Sequence, residues 1–192
     1  MNSTIIGCDY NAPEDLLSGR NILVSGAGSG IGKTAAQAFA AHGATVILLG
    51  RTTEKLEQVH DDIVAAGHPQ PIIFELDMLT AEAGHYKVLN ESIQTELGAL
   101  HGLLNNASIL GKRTTIESAD AKAWREVMDV NVTAQMLLTQ ALLPSLNQAD
   151  SASIVFTSSG VGRQGRAYWG AYAVSKFATE GLMQVLADEL EN

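Results

Sequence analysis

Tyr172 and Lys176 stand one helical turn apart near the end of a 192-residue chain. A spacing of four places both side chains on one helix face. A phenol beside a cation is a unit for acid–base chemistry. Free tyrosine is almost wholly protonated at neutral pH, and a nearby positive charge favours its phenolate. Such a group can give a proton to a substrate oxygen or take one from it. The pattern alone is common, and a half-buried tyrosine beside a snorkelling lysine reads the same way. Two more polar residues add to it. Ser159 comes thirteen residues before Tyr172, two residues after the end of the apolar run SIVFT. Asn131 sits in D-V-N-V, within a long helical pattern.

A second kind of chemistry is written at Asn21–Thr34, NILVSGAGSGIGKT. Ile22, Leu23 and Val24 read as a strand. Glycines follow at 26, 28, 30 and 32, and then an alanine-rich helical stretch. A strand, a glycine loop and a helix N-terminus make an anion site, because bare backbone and free N–H groups can approach a phosphate. The G-x-G-x-x-G fingerprint is not met, since Lys33 stands where its last glycine would fall. Two patterns do fit. Ala27-x-x-x-x-Gly32-Lys33-Thr34 is a relaxed P-loop of a phosphotransferase, with Lys33 at terminal phosphates and Thr34 on magnesium. Asp77 could then serve as a second magnesium ligand. The competing pattern is Ser25-Gly26-x-x-x-Gly30-x-Gly32, a loop for a dinucleotide.

The elements that must position these residues alternate regularly. Apolar runs at Ile22–Val24, Ala44–Leu49, Pro71–Leu76, Leu100–Asn105 and Ser153–Thr157 read as strands. Helical patterns cover Thr53–Ala66, Ala81–Leu97 with Thr80 as N-cap, Asp120–Leu143 and about Gly170–Leu190. Continuous apolar strands alternating with helices predict an α/β fold: a three-layer, doubly wound parallel sheet of Rossmann-like type. Its ligand crevice lies at the carboxyl ends of the strands. Residues 1–20 read as a leader segment and 21–192 as one dinucleotide-binding domain. Two strands in the second half, against three in the first, read as a C-terminally truncated domain. The fifth strand, with Ile154, Val155 and Phe156, would be an uncovered edge.

The glycine loop, Asn105-Asn106-Ala107-Ser108, the Asn131 helix, Ser159 and Tyr172-Ala-Val-Ser-Lys176 together resemble the short-chain dehydrogenase/reductase family. The match runs from about Asn21 to the end. The stretch FTSSGVGRQGRAYWGAYAVSKFATEG is similar to the bacterial YciK-type branch of that family. The P-loop pattern explains none of these features. The resemblance implies an oxidoreductase that moves a hydride between a nicotinamide cofactor and a small alcohol or carbonyl substrate. Tyr172 would be the general acid/base, with Lys176 favouring its phenolate and binding the nicotinamide ribose. Ser159 would hydrogen-bond the substrate oxygen, and Asn131 would hold a relay water behind Lys176. Gly26, Ser29, Gly30, Ile31 and Gly32 would cradle the pyrophosphate. Asp77 and Met78 would lie at the adenine, and Asn105, Asn106 and Ala107 beside the cofactor. A homo-oligomer, dimer or tetramer, would form through the long helix and the last helix. Ser108 departs from the family's usual glycine. A non-catalytic nucleotide-binding module is the alternative of a different class.

Cofactor choice turns on the end of the second strand. An NAD enzyme places a carboxylate there for the ribose hydroxyl. Gly50 and Arg51 occupy it here, and a guanidinium suits a 2′-phosphate, so NADP is expected over NAD. Other classes recede on composition. A net charge of −9 without a basic cluster argues against nucleic-acid or anionic-membrane partners. Cys8 is alone, and the five histidines (42, 60, 68, 85 and 101) are scattered, so no metal site is expected. Neither a signal-peptide pattern nor a run of ~18 apolar residues is present, and a cytoplasmic protein is expected. Four N-x-S/T matches, at Asn2, Asn90, Asn106 and Asn131, then carry no meaning.

Overall fold

The computed structural model describes residues 11–191. Cys8, the Asn2 match and the first half of the leader lie outside the described residues. Five strands form one sheet: β1 (Asn21–Ser25), β2 (Thr45–Gly50), β3 (Ile72–Glu75), β4 (Gly102–Asn105) and β5 (Ser153–Phe156). All four pairings are parallel, in the order β3-β2-β1-β4-β5. The order reverses between β1 and β4, which makes their carboxyl ends the crevice of a doubly wound sheet.

Alternate strand residues feed two cores. Leu23, Ile47 and Leu49 face one layer, where Tyr86, Leu89 and Ile93 of α3 (Ala83–Glu96) meet Leu138, Leu142 and Leu146 of α5 (Ala134–Leu146). Ile22, Val24, Val46 and Leu48 face the other. There Ala36 and Ala40 of α1 (Gly30–Ala41) meet Leu56, Val59 and Ile63 of α2 (Thr53–Ala65). Such two-sided burial explains the continuous apolar runs of β1 and β2. The outer strands are different. β5 has only β4 as a neighbour, and its Val155 is 54% exposed. The expected edge is therefore an edge among the described residues.

Three expectations change. The expected single helix Asp120–Leu143 is α4 (Ala121–Met128), a π-helical turn (Asp129–Thr133) and α5. Asp120 caps α4 by accepting from the Ala123 N–H at 2.8 Å. α5 also runs past Pro144, because buried Ser145 anchors its last turn: the Ser145 hydroxyl donates to Asn90 Oδ1 at 2.7 Å. The N-cap of α3 is Glu82, not Thr80. Glu82 and His85 form a reciprocal capping box, and the Thr80 hydroxyl donates instead to the Asp77 carbonyl. The described part of the leader is docked. Leu17 N–H donates to the His42 carbonyl at 2.8 Å, its side chain joins the α1–α2 core, and Arg20 pairs with Asp150 at 2.6 Å.

Candidate active site

Ser25, at the end of β1, is fully buried and ties two strands together. Its hydroxyl donates to the Leu104 carbonyl and accepts from the N–H groups of Asn106 and Ala107 at 2.9 and 3.1 Å. Asn106 Nδ2 donates back to the Ser25 carbonyl. β1 and β4 therefore end in one rigid hydrogen-bonded unit. The chain leaves it through Gly26, in the left-handed region at φ +69, where a Cβ would come within 3.0 Å of Ala107 Cα. At Gly32 a Cβ would lie 2.2 Å from the Gly26 carbonyl oxygen, so only glycine fits. Ser29 stands at the N-cap of α1 without a side-chain cap, which leaves the first-turn N–H groups of that helix without a side-chain acceptor.

The loop opens onto a cleft of about 400 Å³, the size of a small-molecule or cofactor site. Gly26, Ser29 and Ile31 line it from the loop side. Arg51, Asp77 and Met78 line it from the ends of β2 and β3, and Asn106 and Ala107 from the end of β4. Tyr172 lines it from α6 (Gly170–Glu191). Gly30, Gly32, Ser159, Asn131, Lys176 and Asn105 stand outside the lining. Asn105 is fully buried and turned away, with Nδ2 donating to Thr139 on α5 at 3.0 Å.

Behind Tyr172 the arrangement is tight. Lys176 is fully buried, its Nζ 5.6 Å from the Tyr172 ring centroid and donating to the Thr157 carbonyl at 2.7 Å. Burial of this ammonium pushes its pKa down to about 8. Gly162 makes the burial possible, since a Cβ there would sit 3.0 Å from Lys176. Gly162 ends a 3₁₀ turn, Gly160–Gly162, and half-buried Ser159 caps that turn by accepting from the Val161 N–H at 3.4 Å. Asn131 sits fully buried in the π turn. Its Oδ1 accepts from the Ile109 N–H at 2.8 Å, and its Nδ2 donates to the Ile109 carbonyl at 2.9 Å and to the Ser175 hydroxyl at 3.0 Å. Ser175 in turn donates to the Tyr172 carbonyl at 2.8 Å. One amide thus fixes the loop after β4 and the turn of α6 that carries Tyr172.

The P-loop reading of the glycine stretch fails on geometry. Lys33 Nζ is held by Asp62 of α2 at 2.8 Å, and the Thr34 hydroxyl donates to the Gly30 carbonyl. Neither points its polar group at a phosphate. Sequence reading did not single out Lys55, which lines the cleft beside Arg51. Gly28 brings it there, because a Cβ at Gly28 would lie 3.0 Å from Lys55 Cβ. Its signal was a second cation four residues after Arg51. Trp169 and Arg113 were also missed. The Trp169 ring centroid is 6.0 Å from that of Tyr172, and the Arg113 guanidinium lies over the Trp169 ring at 4.6 Å.

These features suit a nicotinamide dinucleotide. Two glycines leave room for a close backbone approach, an uncapped helix N-terminus faces the loop, and two cations rather than a carboxylate close the β2 end. The fold and site define a dinucleotide-binding α/β protein of the doubly wound class. The chain belongs to the short-chain dehydrogenase family, whose model matches residues 20–192. It is 52% identical over 182 residues to the uncharacterized oxidoreductase YciK of Escherichia coli K12, covering 95% of this chain and 72% of that one. A short chain dehydrogenase structure from Pseudomonas syringae superposes with a TM-score of 0.94 at 57% identity, covering 96% of this chain and 76% of that chain. Another, from Escherichia coli CFT073 and solved in complex with NADPH, gives 0.91 at 53% identity, covering 93% and 74%. Among the described residues no helix is long and apolar enough to cross a membrane.

Proposed function

We propose that residues 21–192 form an NADP(H)-dependent oxidoreductase domain that interconverts an alcohol and a carbonyl compound at Tyr172. One observation carries the reading: Tyr172 lines the cleft while Lys176, buried and one turn on, directs its ammonium toward the same ring. Tyr172 holds the proton that the substrate oxygen gains or loses. Lys176 stands behind that ring and keeps donors to spare for a ribose hydroxyl. Ser159 orients the substrate oxygen, and Asn131 positions Tyr172 through Ser175. Gly26, Ser29, Gly30, Ile31 and Gly32 accept the pyrophosphate, with Asn106 and Ala107 alongside. Arg51 and Lys55 accept the 2′-phosphate, and Asp77 and Met78 border the adenine. The bound cofactor supplies or receives the hydride, and the protein supplies position and electrostatics.

The NADPH complex of the Escherichia coli CFT073 relative supports the choice of cofactor. We place the protein in the cytoplasm and expect a homo-oligomer packed through the α4–α5 segment and α6, where Val174 and Phe177 are exposed. A solution mass of one chain would count against that assembly. The central test is Tyr172→Phe. Turnover on a carbonyl panel is expected to fall by about a thousandfold or more, the scale of losing a general acid, while NADPH binding persists. Activity retained in this variant would overturn the reading, and NADPH binding without turnover by the unaltered chain would favour a non-catalytic module.

A further inference from the structure

Five of the twelve lysines and arginines are paired with carboxylates among the described residues: Arg20, Lys33, Lys87, Lys122 and Arg163. Among the described residues three of the others stand at the crevice or directly behind it. Arg51 and Lys55 line the β2 end, and Lys176 backs Tyr172. Arg113 lies over Trp169, the ring next to Tyr172, with no carboxylate partner among the described residues.

Its placement is built. The loop after β4 is clamped at Ile109 by both ends of the Asn131 amide. It then turns through Gly111 in the left-handed region at φ +67, where a Cβ would strike Val127 at 2.6 Å. Two residues later the Arg113 guanidinium lies on the Trp169 ring at 4.6 Å. Trp169 is presented by its own strained turn. Tyr168, the one non-glycine residue with positive φ among those described, adopts φ 72 directly before it. The Trp169 N–H closes the turn on the carbonyl of Arg166, another cation without a carboxylate partner among the described residues.

A guanidinium stacked on an aromatic face keeps its in-plane N–H donors free. Those donors match the two oxygens of a carboxylate or phosphate. We propose that Arg113, held over the Trp169 ring, binds an oxyanion of the substrate, so that the alcohol or carbonyl processed at Tyr172 belongs to an anionic molecule. This rests on the reading of Tyr172 as the reacting group and adds the class of substrate to it.

Three aldehydes test it: 4-carboxybenzaldehyde, its methyl ester and 4-formylphenyl phosphate. Each is titrated calorimetrically into the full chain with and without NADP⁺, which cannot reduce them, so binding is read apart from turnover. At least one anionic aldehyde is expected to bind about tenfold tighter than the neutral ester, the scale of one charge-assisted contact. Which anion is preferred tells carboxylate from phosphate. Arg113→Glu should abolish or reverse the preference, and Lys122→Glu, the same charge change on exposed α4, should retain it. Equal binding of all three, survival of the preference in Arg113→Glu, or equal loss in both variants would overturn the proposal. Turnover with NADPH is measured on the same panel. Charge-selective binding without turnover would sink the oxidoreductase reading and leave the anion site standing. Turnover without charge selectivity would do the reverse.

Discussion

At the scale of single residues, the site rests on a lysine whose charged form is disfavoured by its burial. Burial lowers the pKa of Lys176 to about 8, from 10.5 for the free side chain. The unfolded chain therefore binds more protons than the folded one between these values. The penalty is present in full below about pH 8 and fades as pH rises toward 10.5. Its size is on the order of 3 kcal/mol. Lys176→Met is expected to unfold at higher temperature than the unaltered chain at pH 7, and the advantage should shrink between pH 8 and 10.5. Thermal denaturation across that range checks the sign. Turnover should be lost in the same variant, which separates a functional cation from a structural one. Arg51 acts on cofactor choice. Arg51→Ala is expected to weaken NADPH by about tenfold, the worth of a charge-assisted pair, and NADH little. Fluorescence titration of both cofactors gives the comparison, and equal losses would count against a 2′-phosphate contact.

At the scale of elements, the π turn between α4 and α5 does what a regular helix could not. Its wider turn buries Asn131 where the amide reaches both polar groups of Ile109 and the Ser175 hydroxyl. Asn131→Ala would leave the fully buried Ser175 hydroxyl and the half-buried Ile109 N–H and carbonyl without this partner. A loss of about 3 kcal/mol is expected, read by urea denaturation. A loss below about 0.5 kcal/mol, the scale of an ordinary surface change, would show the clamp to be dispensable. This device was the least legible part of the sequence. The apolar stripe of Val127, Val130, Ala134 and Leu138 runs on across the turn and reads as one helix. The strands were legible because buried runs such as Val46–Leu49 have no other use. The glycine loop, Tyr172 and Lys176 were legible because their spacing is local. Lys55, Arg113 and Trp169 were not, since each gains its place only from tertiary packing. The Glu82–His85 cap escaped for another reason: helix starts are sought at Ser, Thr, Asp and Asn, and Thr80 stood nearby.

At the scale of the whole molecule, the acidic balance and the cationic crevice belong together. Arg51 and Lys55 line the crevice from the β2 end and Lys176 stands behind Tyr172, none of them with a carboxylate partner among the described residues. The net charge of −9 leaves that crevice as the place for an anionic ligand to settle. The strand order has a further consequence, in time rather than in space. β1 lies at the centre of the sheet yet is made first. Its pairing with β2 joins Ile22 to Val46, whereas Asn21 meets the His101 ring across 80 residues of sequence. Closing the longer loop costs more entropy, and non-local pairing slows folding. Pulse-labelled hydrogen exchange during refolding should find β1, β2 and β3 protected before β4 and β5, and simultaneous protection would contradict this order. The Ser25 hydroxyl, with two of its three partners beyond β4, then cannot complete its bonds until last. The crevice becomes a crevice only at the final step, so a ligand that fits it arrives as a reporter that folding has finished.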